Sequence, residues 1–252
     1  MQKGDSRLRM SFISHLGTGS SWHVLVGAEP INVSTVVLSV AECVLDLNFV
    51  VDSSGSIEYA GVGNWQKAKD FIANIIRQLI IGPNNVQVAM VLFSTTATVQ
   101  WDLTRYQDQA SLIAAVNVLP YIGLKTNLND ALYLTRTQVF AAGRGTRANA
   151  TKVTVILTDG EDDVPAKGTP LTIQNATACK DAGIRMIAVG VSSAVDQARL
   201  LQIVSSPSDY HPAHDFDGLT SVVAQLTPQG ICFAPGTDIS EYFTLLLSYC
   251  SC

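Results

Sequence analysis

Short apolar runs alternate along this chain with segments in which apolar residues recur every three or four positions. The runs are rich in valine and isoleucine, which is typical of strands buried on both faces of a sheet. The segments between them have the spacing of helices that bury one face. The predicted strands are residues 45–51, 86–94, 97–101, 151–158, 184–192 and 209–216, and the predicted helices are residues 65–79, 108–119, 128–139, 169–183, 195–204 and 217–227.

This alternation predicts an α/β domain with a doubly wound, mainly parallel six-stranded sheet and helices on both faces. Only Thr95 and Thr96 separate two of the strands, so these form a hairpin and place one antiparallel strand at an edge of the sheet. Pro212 marks 209–216 as a second edge strand, because proline has no N–H to donate to a neighbour. Sheets of this kind bind ligands at the carboxyl ends of their strands.

The 252 residues are enough for this domain and two short flanks. Residues 1–42 mix glycine, serine and other polar residues without a lasting period, and we interpret them as a poorly ordered leader. The domain is expected at residues 43–232. Residues 233–252 are too few for a further domain, and we interpret them as the start of another cysteine-bearing module that is cut short.

The first predicted strand of the domain, 45–51, runs directly into a polar turn. Asp52, Ser54 and Ser56 alternate along this glycine-containing turn, so their oxygens can point to the same side. Such a set of oxygens is what a small hard cation binds. The alternative is a strand followed by a serine-rich turn without a ligand.

A second buried strand, 151–158, also ends in a carboxylate, Asp159. If the two strands are neighbours in the sheet, Asp52 and Asp159 lie close together at the carboxyl ends of the strands. Thr126, in a loop before a helix, can reach the same carboxyl ends as well. The rest of the acidic run after Asp159 lacks the ligand spacing of an EF-hand and is interpreted as a solvated surface.

The charge and hydropathy of the chain argue against several classes of partner. The net charge is −5 and lysine and arginine form no run, so neither nucleic acid nor an anionic membrane surface is expected as a partner. The longest apolar runs are about ten residues, whereas a membrane-spanning helix needs about 20. The N-terminal residues lack the pattern of a signal peptide, and the nearest apolar stretch, 31–41, lies too deep in the chain.

Five cysteines cannot all pair within one molecule. Cys43 lies just before the first strand of the domain and Cys232 just after its last helix, so a disulfide between them would join the two ends. Cys179 lies on the apolar face of a predicted helix and is expected to be a buried free thiol. Cys250 and Cys252, in the tail, can be unpaired.

Three Asn-x-Ser/Thr sequons, at Asn32, Asn149 and Asn175, fit a secreted glycoprotein. His211 and His214 beside Asp215 have neither the helix nor the fourth ligand of a zinc site, and we interpret them as surface histidines. There is no nucleophile elbow, phosphate loop or dinucleotide fingerprint in the sequence. We therefore predict that the protein is not an enzyme.

Three separated motifs resemble the von Willebrand factor type A (VWA) domain with its metal-ion-dependent adhesion site (MIDAS). They are DSSGS after an apolar strand, a threonine within GLKTNLNDAL, and LTDG after a second apolar strand, and they follow the family's order over about residues 43–232. The resemblance implies a Rossmann-like fold with the ligand site at the carboxyl ends of the strands. It also implies the family's end-to-end disulfide, here between Cys43 and Cys232.

By this resemblance, Ser54, Ser56 and Thr126 offer hydroxyl oxygens to Mg²⁺ or Mn²⁺. Asp52 and Asp159 then bind the ion directly or through water. An octahedral ion held in this way keeps at least one water, which an acidic side chain of a partner can displace. The implied ligand is therefore a protein that presents Glu or Asp to the metal.

The function expected from these features is that of an extracellular, metal-dependent adhesion module whose partner is collagen or another matrix protein. One alternative is a structural matrix component that uses the domain for assembly. Another is an intracellular scaffold or a chelatase-type subunit of the same fold, which the flanking cysteines and the sequons disfavour.

Overall fold

The computed structural model describes residues 10–12, 21–26, 35–39, 44–160, 168–193, 195–226 and 231–232. The chain divides into two compact units, Met1–Glu42 and Cys43–Cys252. Among the described residues, no helix is long and apolar enough to cross a membrane.

The first unit contains a small antiparallel sheet that the sequence pattern did not reveal. Its strands are β1 (Met10–Phe12), β2 (Ser21–Val26) and β3 (Thr35–Ser39), in the order β1-β2-β3. These strands lie within residues 1–42, whose interpretation as a poorly ordered leader stays a prediction. The glycines, serines and other polar residues around the strands hid the pattern, although the valines of β2 and β3 favour extended backbone. The division into leader, domain and tail stays a prediction.

The second unit is built on a six-stranded sheet with the order β6-β5-β4-β7-β8-β9. All neighbouring strands are parallel except β6, which is antiparallel to β5 at one edge. This arrangement confirms the predicted fold class, including the hairpin at the edge. The strands are β4 (Leu45–Asp52), β5 (Val86–Phe93), β6 (Ala97–Trp101), β7 (Thr151–Thr158), β8 (Ile184–Val191) and β9 (Tyr210–Ala213).

Helices cover both faces of this sheet. They are α1 (Gly55–Tyr59), α2 (Asn64–Ile76), α3 (Gln109–Asn117), α4 (Leu128–Leu134), α5 (Gly168–Asp181), α6 (Gln197–Ile203) and α7 (Leu219–Gln225). Leu47 and Phe49 of β4 belong to the core that contains α2, α3 and α7. Val50 points the other way, into the core that contains α4, α5 and α6. Successive strand residues face opposite sides, so β4, with apolar residues on both, is a central strand.

The predicted helix 128–139 is α4 followed by a π-helical turn, Thr135–Val139. The Thr135 hydroxyl donates to the Ala131 carbonyl oxygen at 2.9 Å and accepts from the amide of Asn48 at 3.1 Å. The widened turn thus supplies a partner for a polar side chain that β4 carries into the core.

Candidate metal site

The carboxyl ends of β4 and β7 lie side by side in the centre of the sheet. Val51 is paired with Leu157, so the next residues of each strand, Asp52 and Thr158, are also adjacent. The Thr158 hydroxyl donates to Asp52 Oδ2 at 2.7 Å. The condition on which the predicted site depended, that the two strands are neighbours, is therefore met.

A continuous chain of hydrogen bonds joins the first acidic turn to the second. Ser54 N donates to Asp52 Oδ1 at 2.9 Å, and Ser54 Oγ lies 3.0 Å from Ser56 Oγ. Ser56 Oγ donates to Asp159 Oδ1 at 2.7 Å. Four of the five predicted ligands are thus linked through short contacts, although Ser56 and Asp159 are 103 positions apart.

Thr126, the fifth predicted ligand, is buried just beyond a segment that is bound to the same turn. Gly55 N donates to the Leu124 carbonyl oxygen at 2.7 Å, and Gly123 N donates to that of Ser53 at 2.8 Å. The hydroxyl of Ser94, which follows β5, accepts from Leu124 N at 3.1 Å. The backbone that carries Thr126 is therefore held against the DSSGS turn from two sides.

The carboxylates of the site lie where their charge is poorly solvated. Asp52 is fully buried, and this burial raises its pKa to about 7. The hydrogen bonds from Ser54 and Thr158 lower the pKa, and the negative charge of Asp159 raises it further, but burial has the largest effect. Burial also raises the pKa of Asp159. Among the described residues, none of the groups that shift the pKa of Asp52 is a cation. A metal ion would supply the positive charge that these buried carboxylates lack.

The donor set of the site fits a hard divalent ion. It consists of two carboxylates and three hydroxyls, and carboxylate, hydroxyl and water oxygens are the ligands of Mg²⁺ and Mn²⁺. In the part of the chain that the structure describes, no three His, Cys, Asp or Glu side chains come together in a way that could hold a metal. The site is therefore defined by neutral oxygens around two acids and not by an acidic cluster.

Several hydrogen bonds that position the site were not predicted from the sequence. The Ser53 hydroxyl accepts from Ile122 N at 2.8 Å, and the Tyr121 hydroxyl donates to the Ser54 carbonyl oxygen at 3.1 Å. Ser192, with a left-handed backbone at φ 80°, donates its hydroxyl to the Asp159 carbonyl oxygen at 3.3 Å. Only Ser53 carried a local signal, its place in the serine-rich turn.

The cysteines agree in part with expectation. Cys179 is a free, buried thiol, as predicted, and burial raises its pKa to about 11. Cys232 is disulfide-bonded. Cys43 and the tail cysteines lie outside the described residues, so the pairing of Cys43 with Cys232 stays a prediction.

The sequons lie in different surroundings. Asn149 is exposed in the turn before β7, and Asn175 is half-buried within α5. Asn32 lies outside the described residues. His211 contacts Gln225 at 3.0 Å and His214 contacts Asp215 at 3.2 Å, both on the surface.

Known proteins are similar to this chain in sequence and in fold. A sequence model of the von Willebrand factor type A domain matches residues 46–225. The mouse collagen alpha-1(XX) chain is 37% identical over 191 residues, which are 74% of this chain and 14% of that protein. Human matrilin-1 is 31% identical over 186 residues, 72% of this chain and 35% of the relative. The chain thus spans a small part of these relatives, which are named as collagens and matrilins and not as enzymes.

Solved structures agree. Proximal thread matrix protein 1 from the mussel byssus, with a zinc-occupied MIDAS motif, has a TM-score of 0.67 at 28% identity, covering 75% of this chain and 46% of that one. The manganese-loaded TRAP protein of Plasmodium vivax has the same fold, with a TM-score of 0.61 at 21% identity over 75% of this chain and 74% of that one. With its family match, its strand order and its MIDAS-type site at the ends of β4 and β7, the chain belongs to the von Willebrand factor type A domain family.

Proposed function

We propose that this domain is an extracellular adhesion module that binds a matrix protein through a divalent cation. The observation that carries the proposal is the hydrogen-bonded chain from Asp52 through Ser54 and Ser56 to Asp159. These oxygens converge at the carboxyl ends of two central strands, where a parallel sheet binds its ligands. The proposed ion is Mg²⁺, with Mn²⁺ as a close substitute.

Ser54, Ser56 and Thr126 are the proposed neutral donors, and Asp52 and Asp159 hold the ion directly or through water. Because three of the five donors are uncharged, the bound ion stays attractive to a further carboxylate. A Glu or Asp of the partner displaces a metal-bound water and completes the octahedral shell. Binding then depends on the metal and on one acidic residue of the partner.

The surface beside the site supports a protein as the partner. Tyr59, at the end of α1, is 95% exposed, and Val62, just after α1, is 96% exposed; α1 itself begins within the DSSGS turn. On the other side, Leu124 is 61% exposed and is paired with Ser54. Apolar side chains around a polar centre are typical of interaction surfaces. In the proposed complex they contact the residues that flank the partner's carboxylate and so select the partner.

An extracellular location is proposed on two grounds. The relatives are collagens and a matrilin, and Cys232 is disulfide-bonded, which is common outside the cell and rare in the cytosol. The same observations argue against the intracellular scaffold and the chelatase-type subunit. Collagen is the first partner to test because the relatives include collagens.

The test uses two substitutions at one position. Thr126→Val removes a proposed metal-binding oxygen but keeps the shape of the side chain, whereas Thr126→Ser keeps the hydroxyl. Calorimetric titration with Mg²⁺ should show binding to the original protein and to Thr126→Ser, and affinity lower by about tenfold or more for Thr126→Val. Adhesion to immobilised collagen and to a panel of matrix proteins should follow the same order and disappear with chelator.

Adhesion that is unchanged by chelator and by Thr126→Val would contradict metal bridging. Equal Mg²⁺ affinity of the two variants would remove Thr126 from the ligand set. The alternative role in matrix assembly is favoured by the likeness to a thread matrix protein. Light scattering of the purified chain with and without Mg²⁺ separates the two, because assembly increases the particle size without an added partner.

A further inference from the structure

Two sequons of this chain have the same sequence and different surroundings. Asn149-Ala150-Thr151 and Asn175-Ala176-Thr177 are both Asn-Ala-Thr, so local sequence gives no reason to prefer either as an acceptor of an N-linked glycan. The fold places the two sequons in different surroundings, and only these surroundings distinguish them.

Asn149 lies in a surface turn directly before β7. Both Asn149 and Thr151 are exposed. Their side chains form no hydrogen bond with any residue in the described part of the chain. A glycan on this amide would therefore displace no described side chain and break none of these contacts.

The backbone around Asn149 is firmly held, so the turn presents its amide at a fixed place. Ala150 N donates to the Arg147 carbonyl oxygen at 3.3 Å, and Thr151 N donates to that of Val44 at 3.0 Å. The Arg147 guanidinium binds the buried Asp46 at 2.8 Å. The contacts that hold the turn come from its backbone and from Arg147, and none needs the side chain of Asn149.

Asn175 lies in the interior of the helix α5 and is half-buried. Its Nδ2 donates to Oδ1 of Asn129 in α4 at 2.7 Å. An oligosaccharide on this nitrogen would have to pass between two packed helices. A chain modified here would therefore fold less well than one modified at Asn149.

We propose that the folded, secreted protein carries an N-linked glycan at Asn149 and not at Asn175. The inference rests on the extracellular location proposed above but not on the metal site. The donor is a lipid-linked pyrophosphate oligosaccharide of the secretory pathway. Asn149 Nδ2 forms a bond to the sugar C1 and gives up a proton, and the bond from C1 to the pyrophosphate oxygen breaks, so that the lipid pyrophosphate leaves.

This position keeps the glycan away from the proposed adhesion surface. β7 runs from Thr151, the last residue of the sequon, to Thr158, beside the candidate metal site. Its eight residues, at about 3.3 Å each, separate the two by roughly 25 Å. The glycan covers the amino-terminal ends of the strands and leaves the carboxyl ends free to bind a partner.

The test is expression of the whole chain behind a secretory leader in mammalian cells. Peptide mapping after treatment with peptide N-glycosidase, which converts a glycosylated Asn to Asp, reads the occupancy of each sequon in the secreted protein. Thr151→Ala removes the sequon at Asn149 and Thr151→Ser keeps it, whereas Thr177→Ala removes the sequon at Asn175 without changing Asn175 itself.

We expect most secreted chains to carry a glycan at Asn149 and few to carry one at Asn175. Thr151→Ala should lose that glycan, and Thr151→Ser and Thr177→Ala should retain it. An unmodified Asn149, or equal occupancy of Asn175, would overturn the proposal. Mg²⁺ titration of the deglycosylated protein tests the metal site separately, and we expect an unchanged Kd.

Discussion

At the scale of single residues, the burial of Asp52 is expected to make the stability of the metal-free protein depend on pH. Its pKa rises from the ordinary 3.8 to about 7 when the chain folds, because the carboxyl group is buried. Between these values the folded state holds a proton that the unfolded state has released. The free energy of unfolding of the metal-free protein therefore falls as the pH rises from about 4 to about 7. A metal ion opposes this loss, since it binds the deprotonated form.

Asp52→Asn should weaken the dependence on pH and remove the stabilisation by the metal ion. The amide has the same shape and no charge, so in chelator at pH 8 we expect a free energy of unfolding higher than that of the original protein by at least about 2 kcal/mol. The fall between pH 4 and 7 should become shallower, and Mg²⁺ should no longer stabilise. Urea unfolding at several pH values, with chelator and with Mg²⁺, measures all three.

The matched control for this measurement is Asp70→Asn, which changes an exposed carboxylate on α2. It should alter neither the pH profile nor the stabilisation by Mg²⁺. If Asp52→Asn kept the original pH dependence, the buried carboxyl group would not be its source.

At the scale of elements, the segment 121–125 positions the site. It includes Gly123, whose φ is 71° and where an added Cβ would lie 3.0 Å from the Tyr121 ring. Gly143 has a similar φ of 79° in an exposed turn, with no atom within 4 Å of an added Cβ. Alanine would therefore strain the backbone at both positions. Only at Gly123 would its Cβ also crowd the segment that is bound to the DSSGS turn.

We expect Gly123→Ala and Gly143→Ala each to lower the free energy of unfolding by about 1 kcal/mol, because alanine is strained at positive φ. Only Gly123→Ala should weaken Mg²⁺ binding, by roughly tenfold, through displacement of Tyr121 and of the backbone that leads to Thr126. Thermal unfolding and calorimetry on the same samples compare the two. Equal Mg²⁺ affinity would mean that this segment does not position the ligands.

At the opposite end of the central strands, Arg147 fastens the chain around the start of β4. Its guanidinium binds Asp46, which is fully buried, at 2.8 Å. It also donates to the carbonyl oxygens of Pro83, Leu45 and Asn85. One side chain thus links β4 with the approaches to β5 and β7.

Arg147→Ala should lower the free energy of unfolding by about 3 kcal/mol, because the buried Asp46 loses its only described cationic partner and keeps the bond from the backbone N–H of residue 147 at 2.8 Å. The exposed Arg105 provides the control, and Arg105→Ala should cost less than about 1 kcal/mol. Adding Asp46→Asn to Arg147→Ala should recover part of the loss, since no buried charge then remains. No recovery in denaturant unfolding would contradict the ion-pair account.

At the scale of the whole molecule, the sequence predicted the sheet and the ends of its central strands well. The apolar runs before Asp52 and Asp159 are continuous and end in polar turns. Each run therefore predicted the strand, its carboxyl end and the candidate ligand from neighbouring residues alone. Contacts between distant residues had no such signal. Asn48 with Thr135 and Asp46 with Arg147 join positions 87 and 101 apart, and a polar residue within an apolar run does not reveal its partner. The strands β1 to β3 were missed because residues 1–42 mix glycine, serine and other polar residues, so no apolar pattern stood out there.

The disulfide at Cys232 extends across the domain if its partner is Cys43, as predicted. Such a bridge closes a loop of about 190 residues and would stabilise by roughly 5 kcal/mol in the chain-entropy model, since it restricts the unfolded chain. Cys232→Ser should then lower the free energy of unfolding by about 2 to 5 kcal/mol. Cys43→Ser should cost the same, and the double variant should cost no more than either, because both remove one bond.

A peptide map without reduction identifies the partner directly. We expect one peptide pair that joins Cys43 to Cys232, and a pair that joins Cys232 to Cys250 or Cys252 would contradict the predicted closure. Cys179 serves as the internal control because its free thiol is buried and its pKa is raised to about 11. It should resist alkylation in the native protein and react after unfolding. If Cys179 reacted in the native state, it could exchange with the disulfide during unfolding. The free energies of unfolding would then be measured in a Cys179→Ala background.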